Sequence, residues 1–201
     1  MNLTACREHS PAEWIATPER PWHRLVGLGP GGYPAYARLR FIPDPTGPDQ
    51  AEADVDSENT AALETARLRT TAAVLAAHTG TPRRCYFAIW DGWGYLPTAH
   101  DVPLWSPIAE RSYFLFTGDL HELGEPAAWE AALRPLHHPA SSGRPDPAFV
   151  WPADRAWCLT RDVDPHYATI AASTAAVDDL LHVPDLDIVR ADPDEDPPHY
   201  L

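Results

Sequence analysis

The chain has 201 residues, of which 44% are hydrophobic, and its formal net charge at pH 7 is −14. This length and apolar content predict one domain with a sizeable core, because two domains would each be unusually small. All 15 basic residues are arginine, which excludes a P-loop lysine, a Schiff base and a lysine general base. We expect no ordinary nucleic-acid binding, because a surface with this much negative charge repels the phosphate backbone. A basic protein partner or mimicry of nucleic acid stays open.

The sequence also carries no signal for a membrane or a secreted location. No run of about 18 apolar residues could span a bilayer, and Arg7-Glu8-His9 precedes any apolar segment, unlike the layout of a signal peptide. Cys6, Cys85 and Cys158 are far apart and form no Cys-x-x-Cys pair, so we expect reduced thiols and no structural zinc. We therefore expect a cytoplasmic protein that does not contact a membrane.

Local patterns predict the elements of the N-terminal part. Residues 10–13 read Ser-Pro-Ala-Glu, the spacing of a capping box, and predict a short helix. Residues 25–28 and 35–41 flank a glycine-rich turn and predict a β-hairpin, since apolar residues alternate along the second run. The segment 43–57 is rich in Pro and Asp and predicts a mobile acidic loop. Apolar periodicity then predicts a long helix that ends near Gly80.

Two dense apolar runs, 84–90 and 111–117, predict central strands, because they are rich in Tyr, Phe, Ile and Leu and bounded by Gly and Asp. The connection between them is longer than a hairpin requires and is rich in aromatic residues. Large aromatics mostly serve burial, which is the simpler interpretation, whereas long aromatic loops also line binding surfaces. The candidate binding residues here are Asp91, Trp93, Tyr95 and Trp105.

The C-terminal half predicts further strands and helices around one core. The predicted elements are a helix around 127–136, strands at 156–162 and 167–171, a helix at 174–181 capped by Ser173, and a strand at 186–189. Strands in hairpins with helices between them predict an α+β fold, a largely antiparallel sheet with helices packed mainly on one face. We expect a single domain over 1–190 and an acidic, proline-rich tail over 191–201.

Residues 151–158 read Trp-Pro-Ala-Asp-Arg-Ala-Trp-Cys and predict a turn that feeds a strand. Pro152 fixes φ, and the Asp154 side chain can accept hydrogen bonds from the backbone amides that follow. Arg155 can stack on an indole or pair with a carboxylate. A turn held by Asp154 and Arg155 is the simpler interpretation, and a binding role for both is the alternative.

Together with segments 86–94 and 111–118, this motif resembles an uncharacterised family of proteins from high-GC actinobacteria. The resemblance covers about the C-terminal half; it implies a shared fold and transfers no function. Where members of that family have Gly-Gly-Ser, this chain has Ala171-Ala172-Ser173. In size, acidity, tryptophan content and strand-then-helix ending, the chain is also similar, without a shared motif, to the SMI1/KNR4 superfamily. Many proteins of that superfamily act as immunity proteins that neutralise toxin domains.

One group of residues offers donors for a divalent ion. Asp162, Asp164 and His166 would point to one side of an extended chain and present oxygen and nitrogen ligands. Pro165 interrupts that regularity, and a strand that ends in an Asp-Pro turn explains the same residues without a metal. We therefore expect no metal and no cofactor, and keep the three residues as weak candidates.

Two functions follow from these observations. The first is an acidic protein-binding module, an immunity-like or adaptor protein without catalytic activity, whose exposed aromatics meet a basic partner. The alternative is a small-molecule-binding or metal-dependent hydrolytic enzyme with a pocket between the aromatic connection and Asp162, Asp164 and His166. Convergence of those three residues with Trp90 or Trp93 around one cavity would favour the enzyme, whereas a flat acidic and aromatic patch would favour the module.

Overall fold

The computed structural model describes residues 3–17, 20–93, 102–108, 111–133, 146–163 and 165–201. Within these residues the chain forms nine strands, four α-helices and two 3₁₀ helices. The strands are β1 (Thr4–Ala5), β2 (Ala35–Arg40), β3 (Cys85–Trp90), β4 (Leu104–Ile108), β5 (Arg111–Gly118), β6 (Phe149–Pro152), β7 (Cys158–Thr160), β8 (Tyr167–Ala172) and β9 (Ile188–Ala191). The helices are α1 (Trp22–Leu28), α2 (Ala61–Ala76), α3 (Pro126–Leu133) and α4 (Thr174–Leu181). The 3₁₀ helices span Glu52–Asp54 and Leu120–Gly124.

All nine strands belong to one open sheet, and every pairing in it is antiparallel. Both β1 and β4 pair with β5 at one edge, and the order continues through β3, β6, β7, β8 and β2 to β9 at the other. This confirms the predicted α+β class and the antiparallel sheet. No helix in the described part of the chain is long and apolar enough to cross a membrane.

The two faces of the sheet are covered unequally, because successive side chains of a strand point to opposite sides. On one face, α2, α3 and α4 pack on the strands, and Trp129 of α3 meets Phe87 edge-on with ring centroids 5.5 Å apart. On the other face lie α1 and the turns at 10–15, beside Trp151, which stacks on Tyr86 at 5.5 Å. Three of the four helices therefore share one face, as predicted.

The N-terminal elements differ from their prediction. Residues 22–28 form helix α1 and not a strand of a hairpin; its buried Leu25, Val26 and Leu28 lie on one helical face. A short apolar run fits either a helix or a strand, and here packing against the sheet selects the helix. Residues 10–15 form hydrogen-bonded turns in place of the predicted helix, with the Ala12 N–H donating to His9 O at 2.8 Å.

Candidate interaction surface

The tail, residues 191–201, lies against the acidic loop, residues 43–57. The Tyr200 hydroxyl donates to Pro43 O, and the Leu201 N–H donates to Gln50 O at 3.1 Å. Arg24 holds the start of the tail, because its guanidinium donates to the carbonyl oxygens of Pro193 and Asp194 at 2.7 and 2.9 Å. Two acidic segments that are distant in sequence are thereby held side by side.

The carboxylates of these two segments form one acidic surface. Eight of them have exposed side chains: Asp49, Glu52, Asp54, Asp56, Asp192, Asp194, Glu195 and Asp196. Among the described residues, the ion pairs made by these eight are limited to the one between Asp196 and Arg24, at 3.2 Å. Unneutralised carboxylates in one place produce a negative potential that attracts basic partners.

Three adjacent pockets run along this surface and share lining residues. We call them the tryptophan pocket, of about 60 Å³, the tyrosine pocket, of about 510 Å³, and the loop pocket, of about 400 Å³. Val163 and Pro165 form a ridge that lines both the tryptophan and the tyrosine pocket. His199 lines both the tyrosine pocket and the loop pocket, which lies between the acidic loop and the tail. The pockets therefore belong to one continuous surface.

The tryptophan pocket lies between the aromatic connection and the end of β7, where the alternative function placed its site. Its lining residues are Trp90, Trp93, Asp146, Ala148, Arg161, Asp162, Val163 and Pro165. Asp162 accepts a hydrogen bond from Arg111 at 2.7 Å, and Asp146 accepts one from Arg161 at 2.7 Å. The charges in this pocket are therefore paired. Its volume holds about two water molecules, far less than the several hundred Å³ of a ligand pocket.

A polar network behind the tyrosine pocket centres on Asp44. Its carboxylate accepts two hydrogen bonds from Arg38, at 2.5 and 2.9 Å, and one from Arg40 at 3.1 Å. The Nε2 atom of His166 lies 3.1 Å from Asp44 Oδ1. Burial opposes ionisation of Asp44, but the hydrogen bonds from Arg38 and His166 outweigh it and hold the pKa of Asp44 well below its ordinary value. Asp44 is therefore an anion that holds His166.

The metal candidates do not converge in the described part of the chain. Asp162 faces Arg111, whereas His166 faces Asp44, so the two side chains have separate partners. Asp164 lies outside the described residues. Within the described ranges, no group of three or more His, Cys, Asp or Glu side chains could hold a metal ion.

The four predicted binding residues of the aromatic connection have different outcomes. Asp91 and Trp93 are half-buried, and Trp93 lines the tryptophan pocket. The prediction that Trp105 is an exposed anchor is wrong: the residue is 6% exposed, and its ring packs against Tyr113 with ring centroids 5.6 Å apart. Residues 104–108 form β4, which turns the Trp105 side chain into the core rather than leaving it in a loop. Tyr95 lies outside the described residues.

Asp154 and Arg155 are engaged in a turn away from the three pockets. The Asp154 carboxylate accepts from the Thr79 hydroxyl and the Gly80 N–H, both at 2.7 Å. Burial opposes ionisation here too, and these hydrogen bonds lower the pKa of Asp154. Arg155 has a φ of 57°, and its guanidinium carbon lies 5.2 Å from the ring centroid of Trp14. These contacts are those of the turn interpretation, with an indole as the stacking partner.

The cysteine thiols are poor nucleophiles. All three are free, and burial raises the pKa of Cys85 and Cys158 to about 12 and that of Cys6 to about 11. Since the thiolate is the reactive form, these residues are unreactive at neutral pH.

Sequence reasoning missed several residues of this surface. Glu52, His199, Tyr200 and the clamp residue Arg24 were not singled out, although each contributes to the tyrosine pocket or holds the tail that forms it. One available signal was the pair of aromatic rings, His199-Tyr200, at the end of an otherwise charged and proline-rich segment.

Comparison with protein-family models finds no family that matches this chain, and searches of curated proteins and of solved structures find no match either.

Proposed function

We propose that this chain is an acidic protein-binding module, an immunity-like or adaptor protein without catalytic activity, that recognises a basic protein partner in the cytoplasm. The proposal extends to its membership of the actinobacterial family and its kinship with the SMI1/KNR4 superfamily. One observation carries it: the acidic loop and the acidic tail are held side by side and present eight exposed carboxylates. Neither segment needs the other to complete the sheet, which favours a role in recognition.

The surface combines the two features that protein interfaces use. Exposed carboxylates steer a basic partner and increase the rate of association. Apolar and aromatic groups supply binding energy once the partner has docked. Val163 is 39% exposed on the ridge between two pockets, with Trp93 on one side and Tyr200 on the other. Asp91, two residues before Trp93 in sequence, is the carboxylate that we assign to this end of the proposed interface.

Charge reversal on the acidic surface tests the proposal. Asp49 and Glu195 are exposed and have no ion pair among the described residues, so Asp49→Lys with Glu195→Lys changes charge without breaking a contact that we identify. The tagged protein would capture partners from its native lysate at low and moderate salt, and the captured protein would be identified by mass spectrometry. We expect a stoichiometric basic partner whose association slows at least about tenfold with the double variant, with the loss greatest at low salt.

A matched control separates local from overall charge. Glu13 and Glu130 are exposed residues outside the acidic loop and tail. The control is Glu13→Lys with Glu130→Lys. Each Asp-to-Lys or Glu-to-Lys reversal changes the charge by +2, so this double variant and Asp49→Lys with Glu195→Lys both change the formal net charge from −14 to −10. Equal slowing by both double variants would contradict a localised interface, and absence of any basic partner would contradict the proposal itself.

The second candidate function is a small-molecule-binding or hydrolytic enzyme, and one observation favours it. The tyrosine pocket, at about 510 Å³, has the size of a ligand pocket, and His166 on its wall is held by the Asp44 carboxylate. A thermal-shift screen of metabolites and of Mn²⁺, Zn²⁺ and Mg²⁺ would test it. A ligand-dependent rise in unfolding temperature that Asp44→Asn abolishes would favour this function, and unchanged stability with all three ions would count against its metal-dependent form.

A further inference from the structure

The tyrosine pocket combines an aromatic wall with a carboxylate, that of Glu52, which forms no ion pair within the described ranges. Its lining residues are Glu52, Val163, Pro165, His166, Tyr167, His199, Tyr200 and Leu201. Tyr200 is half-buried and Glu52 is exposed at the rim. Among the described residues no arginine pairs with Glu52. The pocket is thus lined by aromatic rings together with both polar and apolar groups, and it carries a carboxylate at its rim.

Within the described residues, three arginines lie between an aromatic ring and a carboxylate, and two of them, Arg111 and Arg38, serve as examples beside this pocket. The guanidinium of Arg111 lies 4.8 Å from the ring centroid of Trp90 and donates to Asp162. The guanidinium of Arg38 lies 5.1 Å from the ring centroid of Tyr167 and donates to Asp44. A planar guanidinium suits both contacts at once, because it stacks on a ring by its face and binds a carboxylate by its edge.

The tyrosine pocket holds the ring and the carboxylate of a further arrangement of this kind. Tyr200 supplies the ring and Glu52 the carboxylate, while Asp44 is already saturated by Arg38, Arg40 and His166. We infer that an arginine side chain of the basic partner enters the tyrosine pocket, stacks on Tyr200 and pairs with Glu52. This inference rests on the proposed function and names the anchor of that interface, since arginine is enriched among residues that dominate binding energy.

The pocket depends on the position of the tail. Tyr200 reaches its place because the start of the tail is clamped by Arg24 and its end is hydrogen-bonded to Pro43 and Gln50. The ring of Tyr200 then packs edge-on against His166, with centroids 4.8 Å apart. Arg24 is therefore a positioning residue: it lies outside the pocket lining, yet its loss should weaken binding in the pocket by releasing the tail.

A small arginine probe tests the pocket without the partner. N-acetyl-arginine amide would be titrated into the full-length, ¹⁵N-labelled protein and followed by two-dimensional NMR, with N-acetyl-citrulline amide as the uncharged probe of the same shape. We expect saturable shifts at Glu52, Tyr167 and Tyr200 with arginine alone. Tyr200→Leu and Glu52→Gln should each weaken binding about threefold to thirtyfold, the range expected for one such contact with a cation.

Conservative and remote variants act as controls. Tyr200→Phe keeps the ring but removes the hydroxyl that donates to Pro43 O, so it should bind the probe less tightly than wild type and more tightly than Tyr200→Leu. Glu13→Gln removes a remote exposed carboxylate and should change nothing. Equal shifts with the citrulline probe would overturn the inference, as would unchanged binding by both Tyr200→Leu and Glu52→Gln. Failure of this inference can be distinguished from failure of the proposed function. If a salt-sensitive basic partner binds Tyr200→Leu and Glu52→Gln with full affinity, the arginine anchor is wrong and the proposed function stands. Probe binding without any basic partner overturns the proposed function, and with it the assignment of the arginine to a protein.

Discussion

Replacing Asp44 by asparagine should destabilise the fold, because this carboxylate neutralises a buried arginine. The side chain of Arg38 is 8% exposed and donates two hydrogen bonds to Asp44. Leaving a buried charge without its partner costs about 3–5 kcal/mol. Asp44 itself is 21% exposed, and Arg40 keeps a second partner in Asp187. We therefore expect Asp44→Asn to lower the free energy of unfolding by about 2–3 kcal/mol at pH 7, below the fully buried case.

Urea unfolding followed by tryptophan fluorescence would measure this difference, and the unfolding temperature should fall by about 4–12 °C for a chain of this size. The pH dependence provides a second readout. Folding lowers the pKa of Asp44, so its stabilisation is complete above the unfolded pKa of about 3.9 and is lost as pH falls through the folded pKa. The difference between wild type and Asp44→Asn should be constant above about pH 5 and should shrink below about pH 4.

Asp49→Asn is the control, because Asp49 is exposed and has no ion pair among the described residues. It should change stability by less than about 0.5 kcal/mol. The reasoning is refuted if Asp44→Asn stays within that margin at pH 7, or if its effect does not decline between pH 5 and pH 3.

Two further substitutions test contacts that join separate elements. Trp157→Phe should lower the free energy of unfolding, measured by urea unfolding, by about 2–4 kcal/mol. The substitution leaves a cavity and removes the hydrogen bond that the buried indole N–H donates to Leu75 O at 2.9 Å. A loss below about 1 kcal/mol would contradict this prediction. Asp154→Ala should lower the free energy of unfolding by about 1–2 kcal/mol, because it removes the carboxylate that accepts a hydrogen bond from the Gly80 N–H. Amide hydrogen exchange at Gly80 should therefore become faster. Unchanged exchange at Gly80 would show that the carboxylate does not hold this loop.

The elements that sequence patterns predicted well are those specified locally. Helix α4 has the predicted bounds and the predicted cap, with Ser173 Oγ accepting from the Ala176 N–H at 3.2 Å. Strands β3 and β5 lie within one residue of prediction, because short runs dense in aromatic and aliphatic residues and bounded by Gly and Asp are typical of buried strands. Helix α1 and strand β4 were missed, since a short apolar run and a strand inside a long connection carry no distinctive period.

The surface depended on contacts that no local pattern encodes. His166 meets Asp44 across 122 residues, and Asp162 meets Arg111 across 51. The spacing Asp162, Asp164, His166 predicted ligands on one side, but each described member is held by a charged group from a different part of the chain. The composition predicted an acidic protein but not where its carboxylates meet. The antiparallel pairing of β9 with β2 brings the tail next to the acidic loop.

The packing of the tail against the acidic loop is unfavourable by Coulomb repulsion, because both segments are rich in carboxylates. Polar contacts among the described residues that oppose the repulsion include the Arg24 clamp and the hydrogen bonds at Pro43 and Gln50. A cation bound at this surface would relieve repulsion that these internal contacts leave in place. The same repulsion makes the tyrosine pocket responsive to such a partner, since a cation at Glu52 would draw the two segments together. We therefore expect the proposed binding of a basic partner to stabilise the packing of the tail on the acidic loop as well.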